Sequence, residues 1–124
     1  MKTYGVDFVM YQVSDLARAA KFYRETLGLP QTTYSEEWKW AEFDCGNITL
    51  ALNGGVKLPK AVAGGRIALA VDDVFAAAAE LKARGVRFAT EPTDYSVCHA
   101  AALLDPDGNT VLLHRRANGT FGPT

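Results

Sequence analysis

In the stretch GGRIALAVDDV, residues 64–74, a guanidinium stands at the head of an apolar strand. Alternation puts Arg66, Ala68 and Ala70 on one face and Ile67, Leu69 and Val71 on the other. A solvated face would carry larger polar groups than alanine, and a plain core would not carry an arginine. Such a cation needs a carboxylate partner or a ligand bearing an acid or amide group. Glu42 is the candidate carboxylate, and Glu42 and His114 are the candidate proton acceptors. The plainer alternatives are a structural ion pair between Arg66 and Glu42 and a polar strand end at His114, beside Arg115 and Arg116. His99 reads as a partly buried, hydrogen-bonded residue. Cys45 and Cys98 lack CxxC or metal spacing and read as free packing or turn thiols of a reducing compartment. The chain has no phosphate loop, no dinucleotide fingerprint and no Ser-His-Asp arrangement.

The elements that must position these residues fit in one domain of 124 residues, long enough for a core without staples. Thirteen Lys and Arg against 14 Asp and Glu leave a net charge of −1, with the basic residues scattered, so no nucleic-acid or anionic-membrane surface is expected. No stretch reaches the roughly 18 apolar residues of a membrane span, and MKTYGVDF lacks the pattern of a signal peptide. The expectation is a cytoplasmic protein.

The chain repeats itself. FVMYQVSDLARAAKFYRETLGL, from Phe8, and RIALAVDDVFAAAAELKARGVR, from Arg66, each give alternating residues, a polar pair and a helical run closed by glycine. Ser14-Asp15 and Asp72-Asp73 supply helix N-caps, and Gly28 and Gly85 supply stops. FDCGNITLAL, from Phe43, then matches LLDPDGNTVLLH, from Leu103, as strand, tight turn and strand. The pattern predicts strands near 5–13, 31–35, 38–44, 47–53, 65–71, 86–90, 97–104 and 109–115, and helices near 15–27 and 73–84. That is an α+β fold of two tandem βαβββ modules, 1–53 and 65–116, with a linker at 54–64 and a loose tail at 117–124.

One helix per module covers the outer face of a curled mixed sheet, leaving an open cup on the other face. Parity lines the cup with Phe8, Met10 and Gln12; Thr49 and Ala51; Arg66, Ala68 and Ala70; Cys98, Ala100 and Ala102; and Thr110, Leu112 and His114. His99 faces the helix side. A two-residue turn at Cys45-Gly46 pairs Trp40 with Ala51 and Glu42 with Thr49, adding Trp38, Trp40 and Glu42 to the cup. A one-residue change of register presents Lys39, Ala41 and Phe43 instead.

VSDLARAAKFYRETLGL, VDDVFAAAAELKARGV and LLDPDGNTVLL together resemble the vicinal oxygen chelate superfamily of glyoxalase I, bleomycin-resistance proteins, fosfomycin-resistance enzymes and extradiol dioxygenases. The resemblance covers nearly the whole chain. It implies a divalent metal held in the cup by His or Glu ligands, at positions that match Phe8, Ala51, Arg66 and Leu112 here. None of these four side chains suits chelation. The resemblance therefore points to the metal-free, bleomycin-resistance-like branch, whose members form homodimers and sequester bulky aromatic compounds.

The expectation is a metal-independent protein, without cofactor, that captures an aromatic or amphipathic molecule. Its binding residues are Phe8, Met10, Gln12, Trp40, Glu42, Ala51, Arg66, Ala68, Leu112 and His114. The alternatives are a metal-free isomerase or lyase, with Glu42 or His114 as base and Arg66 as oxyanion or carboxylate anchor, and an interaction module with a filled cup. A metal-dependent glyoxalase or dioxygenase is the least favoured.

Overall fold

A computed structural model describes Lys2, Tyr4, residues 7–55 and residues 66–122. The chain divides into two compact units, residues 1–62 and 63–124. In the first module β1 (Phe8–Gln12) is followed by α1 (Leu16–Lys21), β2 (Gln31–Ser35), β3 (Trp40–Asp44) and β4 (Thr49–Asn53). In the second, β5 (Ile67–Ala70) is followed by α2 (Val74–Ala83), β6 (Phe88–Asp94), β7 (Cys98–Leu104) and β8 (Thr110–Arg116). Each module forms a four-stranded mixed sheet, ordered β1-β4-β3-β2 and β5-β8-β7-β6. In both, the first strand runs parallel to the last and the other pairings are antiparallel. The α+β class and the β-α-β-β-β order, twice over, are those expected.

Each helix begins where its aspartate can cap it. Asp15 accepts from the Arg18 amide at 3.0 Å, and Asp73 accepts from the Ala76 amide at 3.0 Å. Replacing Asp73 with alanine is expected to cost about 1 kcal/mol of stability, read as a lowered midpoint in urea unfolding at unchanged slope. The helical runs end at Gly28 and Gly85, whose φ of 73° and 84° would strain a residue with a side chain.

The first helical run departs from its expected form. Beyond Lys21 it widens into a π-helical turn, Phe22–Thr26, in which the Leu27 amide donates to the Phe22 carbonyl at 3.0 Å. The periodicity of 15–27 carries no sign of this widening. The turn holds Tyr23 fully buried, its ring centroid 5.8 Å from that of Phe43. Tyr11, Val13, Ala41, Phe43, Leu50 and Leu52 pack on the same side as Leu16, Ala19, Ala20 and Tyr23 to make the first core. The second core joins Ile67, Val111, Leu113, Ala101 and Leu103 to Val74, Ala78 and Leu81 of α2.

Three boundaries differ from expectation. β6 runs on to Asp94 through Pro92, tolerated because it is an edge strand with two shifts of register. The β3–β4 turn spans Cys45 to Ile48, closed by the Cys45 amide donating to the Ile48 carbonyl at 3.0 Å, so it centres on Gly46 and Asn47. Residues 117–122 are tied down rather than loose. The Ala117 amide donates to the Val97 carbonyl at 3.0 Å, and Arg116 reaches Thr120 Oγ1 at 3.3 Å and the Gly122 carbonyl at 3.0 Å. Most of the expected linker, from residue 56 on, lies outside the described residues, as do Gly5 and Val6 of the first expected strand. Gly54, at its start, lies against α1: a Cβ there would sit 3.0 Å from Leu16 Cβ. No helix among the described residues is long and apolar enough to cross a membrane.

Candidate functional site

Cross-strand partners point to the same side of a sheet, so register assigns each face. In the first module Phe8 pairs with Thr49, Met10 with Ala51 and Gln12 with Asn53 along β1–β4. Along β3–β4, Asp44 pairs with Thr49, Glu42 with Ala51 and Trp40 with Asn53. Glu42 and Trp40 therefore each pair two residues further along β4 than expected, because the turn moved by one residue. A shift of two keeps the face. Phe8, Met10, Gln12, Trp40, Glu42 and Ala51 share the side opposite α1, while Ala41 and Phe43 go into the core. Trp38 leaves this set: it lies in the β2–β3 turn and is 75% exposed.

The face has an aromatic corner. The rings of Phe8 and Trp40 stand at 88° with centroids 6.0 Å apart, an edge-to-face pair. The Trp40 indole Nε1–H donates to Glu42 Oε1 at 2.8 Å. Sequence reasoning offered Glu42 to Arg66 and missed Trp40; the signal was there in Trp-Ala-Glu, since residues i and i+2 of a strand share a face. Phe8 and Met10 remain 49% and 39% exposed, large apolar groups left open to solvent. Ala51, beneath them, is fully buried.

In the second module Ala68 pairs with Leu112, which pairs with Ala102; Ala70 pairs with His114, which pairs with Ala100. Leu112 and His114 are half-buried, each in a row with two alanines, and Arg66 is exposed just ahead of β5. Cys98 shares this face opposite Arg116, whose guanidinium is committed to residues 120 and 122. The cross-strand partners of His114, Ala70 and Ala100, offer no carboxylate to orient the imidazole as a base. The histidine that has one is His99, whose Nε2 lies 3.5 Å from Asp94 Oδ2 and whose ring meets Phe75 of α2 edge-on at 5.2 Å. His99 thus faces the helix, as its parity requires. Burial pushes the Cys45 thiol up, with the Asp44 charge adding to it and a backbone hydrogen bond at Leu50 opposing it, so this cysteine is no ready nucleophile.

The family model for the glyoxalase/bleomycin resistance protein/dioxygenase superfamily matches residues 5–113. This chain belongs to that superfamily. The superfamily chain is 34% identical over 112 residues to the lactoylglutathione lyase of Haemophilus influenzae, across 80% of this chain and 83% of that protein. It is 29% identical over 126 residues to a probable lactoylglutathione lyase of Vibrio parahaemolyticus, across 91% of each. A crystal structure of a glyoxalase/bleomycin resistance protein/dioxygenase from Nocardioides shares the fold, with a TM-score of 0.75 at 19% identity over 100% of this chain and 91% of that one.

A divalent cation in such a protein needs imidazole or carboxylate donors. Phe8 and Leu112 have no donor atom, Ala51 has none, and Arg66 has no lone pair to give. Register adds one carboxylate, Glu42 opposite Ala51, and one hydroxyl, Thr49 opposite Phe8, while Ala68, the partner of Leu112, adds nothing. Among the described residues no three His, Cys, Asp or Glu side chains are grouped to hold a metal ion. The donor set at these positions does not fit the metal.

Proposed function

We propose that this superfamily member is a metal-independent small-molecule-binding protein that takes a flat aromatic or amphipathic ligand, in the manner of the bleomycin-resistance branch. The observation that carries the reading is the corner of exposed Phe8 and half-buried Trp40, with Glu42 fixed at its rim by the indole N–H. Rigid rings with one oriented polar group are what a small-molecule site requires. Met10 extends the apolar wall over the buried Ala51, and Gln12 adds a polar edge. The second module's face offers Leu112 and the small Ala68 for contact, His114 for hydrogen bonding, and Arg66, whose guanidinium suits a carbonyl or carboxylate oxygen. A homodimer in the cytoplasm, without nucleic-acid or membrane partners, completes the reading.

Calorimetric titration of the purified chain with the neutral probe 1-naphthalenemethanol is expected to show micromolar binding that EDTA does not alter. Arg66→Ala is expected to weaken, by roughly tenfold, any ligand carrying a carbonyl oxygen, 1-naphthaldehyde for example. Native mass spectrometry of the freshly purified protein reads subunit count and any retained compound together. A stoichiometric transition metal in that spectrum would overturn the proposal.

The relatives' names support a second reading, turnover of lactoylglutathione. Without a donor set that fits a metal, it would rest on Glu42 or His114 as base and Arg66 as oxyanion anchor. The two readings part on one assay: lactoylglutathione should be left intact by a binding protein, and consumed regardless of chelator by a metal-free lyase.

A further inference from the structure

Among the described residues, the open face of the first module holds a carboxylate and no cationic side chain. Glu42 commits Oε1 to the Trp40 indole, and among the described residues no cation pairs with its carboxylate. The other side chains in the rows around it, Thr33, Ser35, Met10, Gln12, Thr49, Ala51 and Asn53, carry no charge. Two cations of the same module are committed elsewhere: Lys39 with Glu36, and Arg24 with Gln31 and Glu25. Asp44 adds negative potential on this face but is exposed, and its Oδ1 accepts from the Gly46 amide at 2.7 Å. Glu42 is thus the half-buried acid at the rim of the aromatic corner.

A ligand that lies on Phe8 and Trp40 must cover Glu42, because the indole ties the carboxylate to the ring edge. An uncharged apolar ligand would strip water from a carboxylate and return nothing for it. An anion would add like-charge repulsion. A protonated nitrogen answers both demands: it forms a charge-assisted hydrogen bond to the carboxylate and is drawn to the ring faces, Trp being the strongest such partner. An edge-to-face pair uses one face of one ring, so π-faces of both Phe8 and Trp40 stay free of that contact.

We infer that the first module's face selects an organic cation: a flat aromatic compound whose protonated amine sits on Glu42 against Trp40. This rests on the small-molecule-binding reading above and narrows it to a ligand class.

The test is a matched set of probes, 1-naphthylmethylamine, 1-naphthalenemethanol and 1-naphthylacetate, titrated calorimetrically into the full-length chain at neutral pH and low salt. The amine is expected to bind about tenfold tighter than the alcohol, and the acetate weakest. Glu42→Gln keeps an acceptor for the Trp40 N–H while removing the charge, and should bring amine and alcohol to equal affinity. Trp40→Phe, which keeps a ring and removes the N–H that fixes Glu42, should shrink the amine's advantage to about twofold or less. An amine that binds no tighter than the alcohol, as when a protein cation already neutralises Glu42, overturns the inference and leaves the binding reading standing. So does an advantage that survives Glu42→Gln. Failure of all three probes to bind overturns both.

Discussion

Asp105→Ala is expected to destabilise the protein by about 3 to 5 kcal/mol. Asp105 is 1% exposed, and its carboxylate accepts from the Asp107 amide at 2.9 Å, the Asn109 amide at 2.8 Å and the Asn109 side-chain amide at 2.9 Å. The truncation strands these donors under the β7–β8 turn, each costing about 1 to 3 kcal/mol when left dry, with water entering to recover part of it. The internal repeat supplies the control. Asp44 occupies the matching place before the β3–β4 turn, yet it is exposed and accepts from the Gly46 amide alone among the described residues. Asp44→Ala should therefore cost less than about 1 kcal/mol. Urea unfolding of the two variants reads the difference directly, and equal losses would refute the role given to Asp105.

Phe43→Ala is the second large effect, about 3 to 5 kcal/mol. Phe43 is fully buried in the first module, with its ring tilted 41° against that of Tyr23, itself fully buried on the π-helical turn. The cavity cannot be filled by Tyr23 moving in, because its own edge contact with Phe22 and its place in the widened turn fix the ring. The same variant leaves the Phe8–Trp40 corner on the opposite face of the sheet. Stability should fall in chemical denaturation, while binding of 1-naphthalenemethanol below the unfolding transition should change by less than about threefold. A stability loss under about 1 kcal/mol would show that the ring packs far more loosely than its burial says.

Much of this architecture was legible in one sequence because the signals are local. Asp15 and Asp73 cap helices by reaching their own third neighbours, and Gly28 and Gly85 stop them by adopting a φ that other residues avoid. Alternation sorted Ala68, Leu112 and His114 from Ile67, Val111 and Leu113, since parity along a strand survives any error at its ends. It also survived the misplaced β3–β4 turn, because moving a turn by one residue moves the pairing by two.

What the sequence by itself determined, then, is the βαβββ order and the two faces of each sheet. What only the tertiary structure decided is which groups meet. Glu42 went to the Trp40 indole, the tail closed on Arg116, and the first helix widened under Tyr23. The physical reason is range: caps, turns and parity are set within a few residues, whereas a side-chain partner is chosen by competition among all the groups that packing brings within about 3 Å of one another.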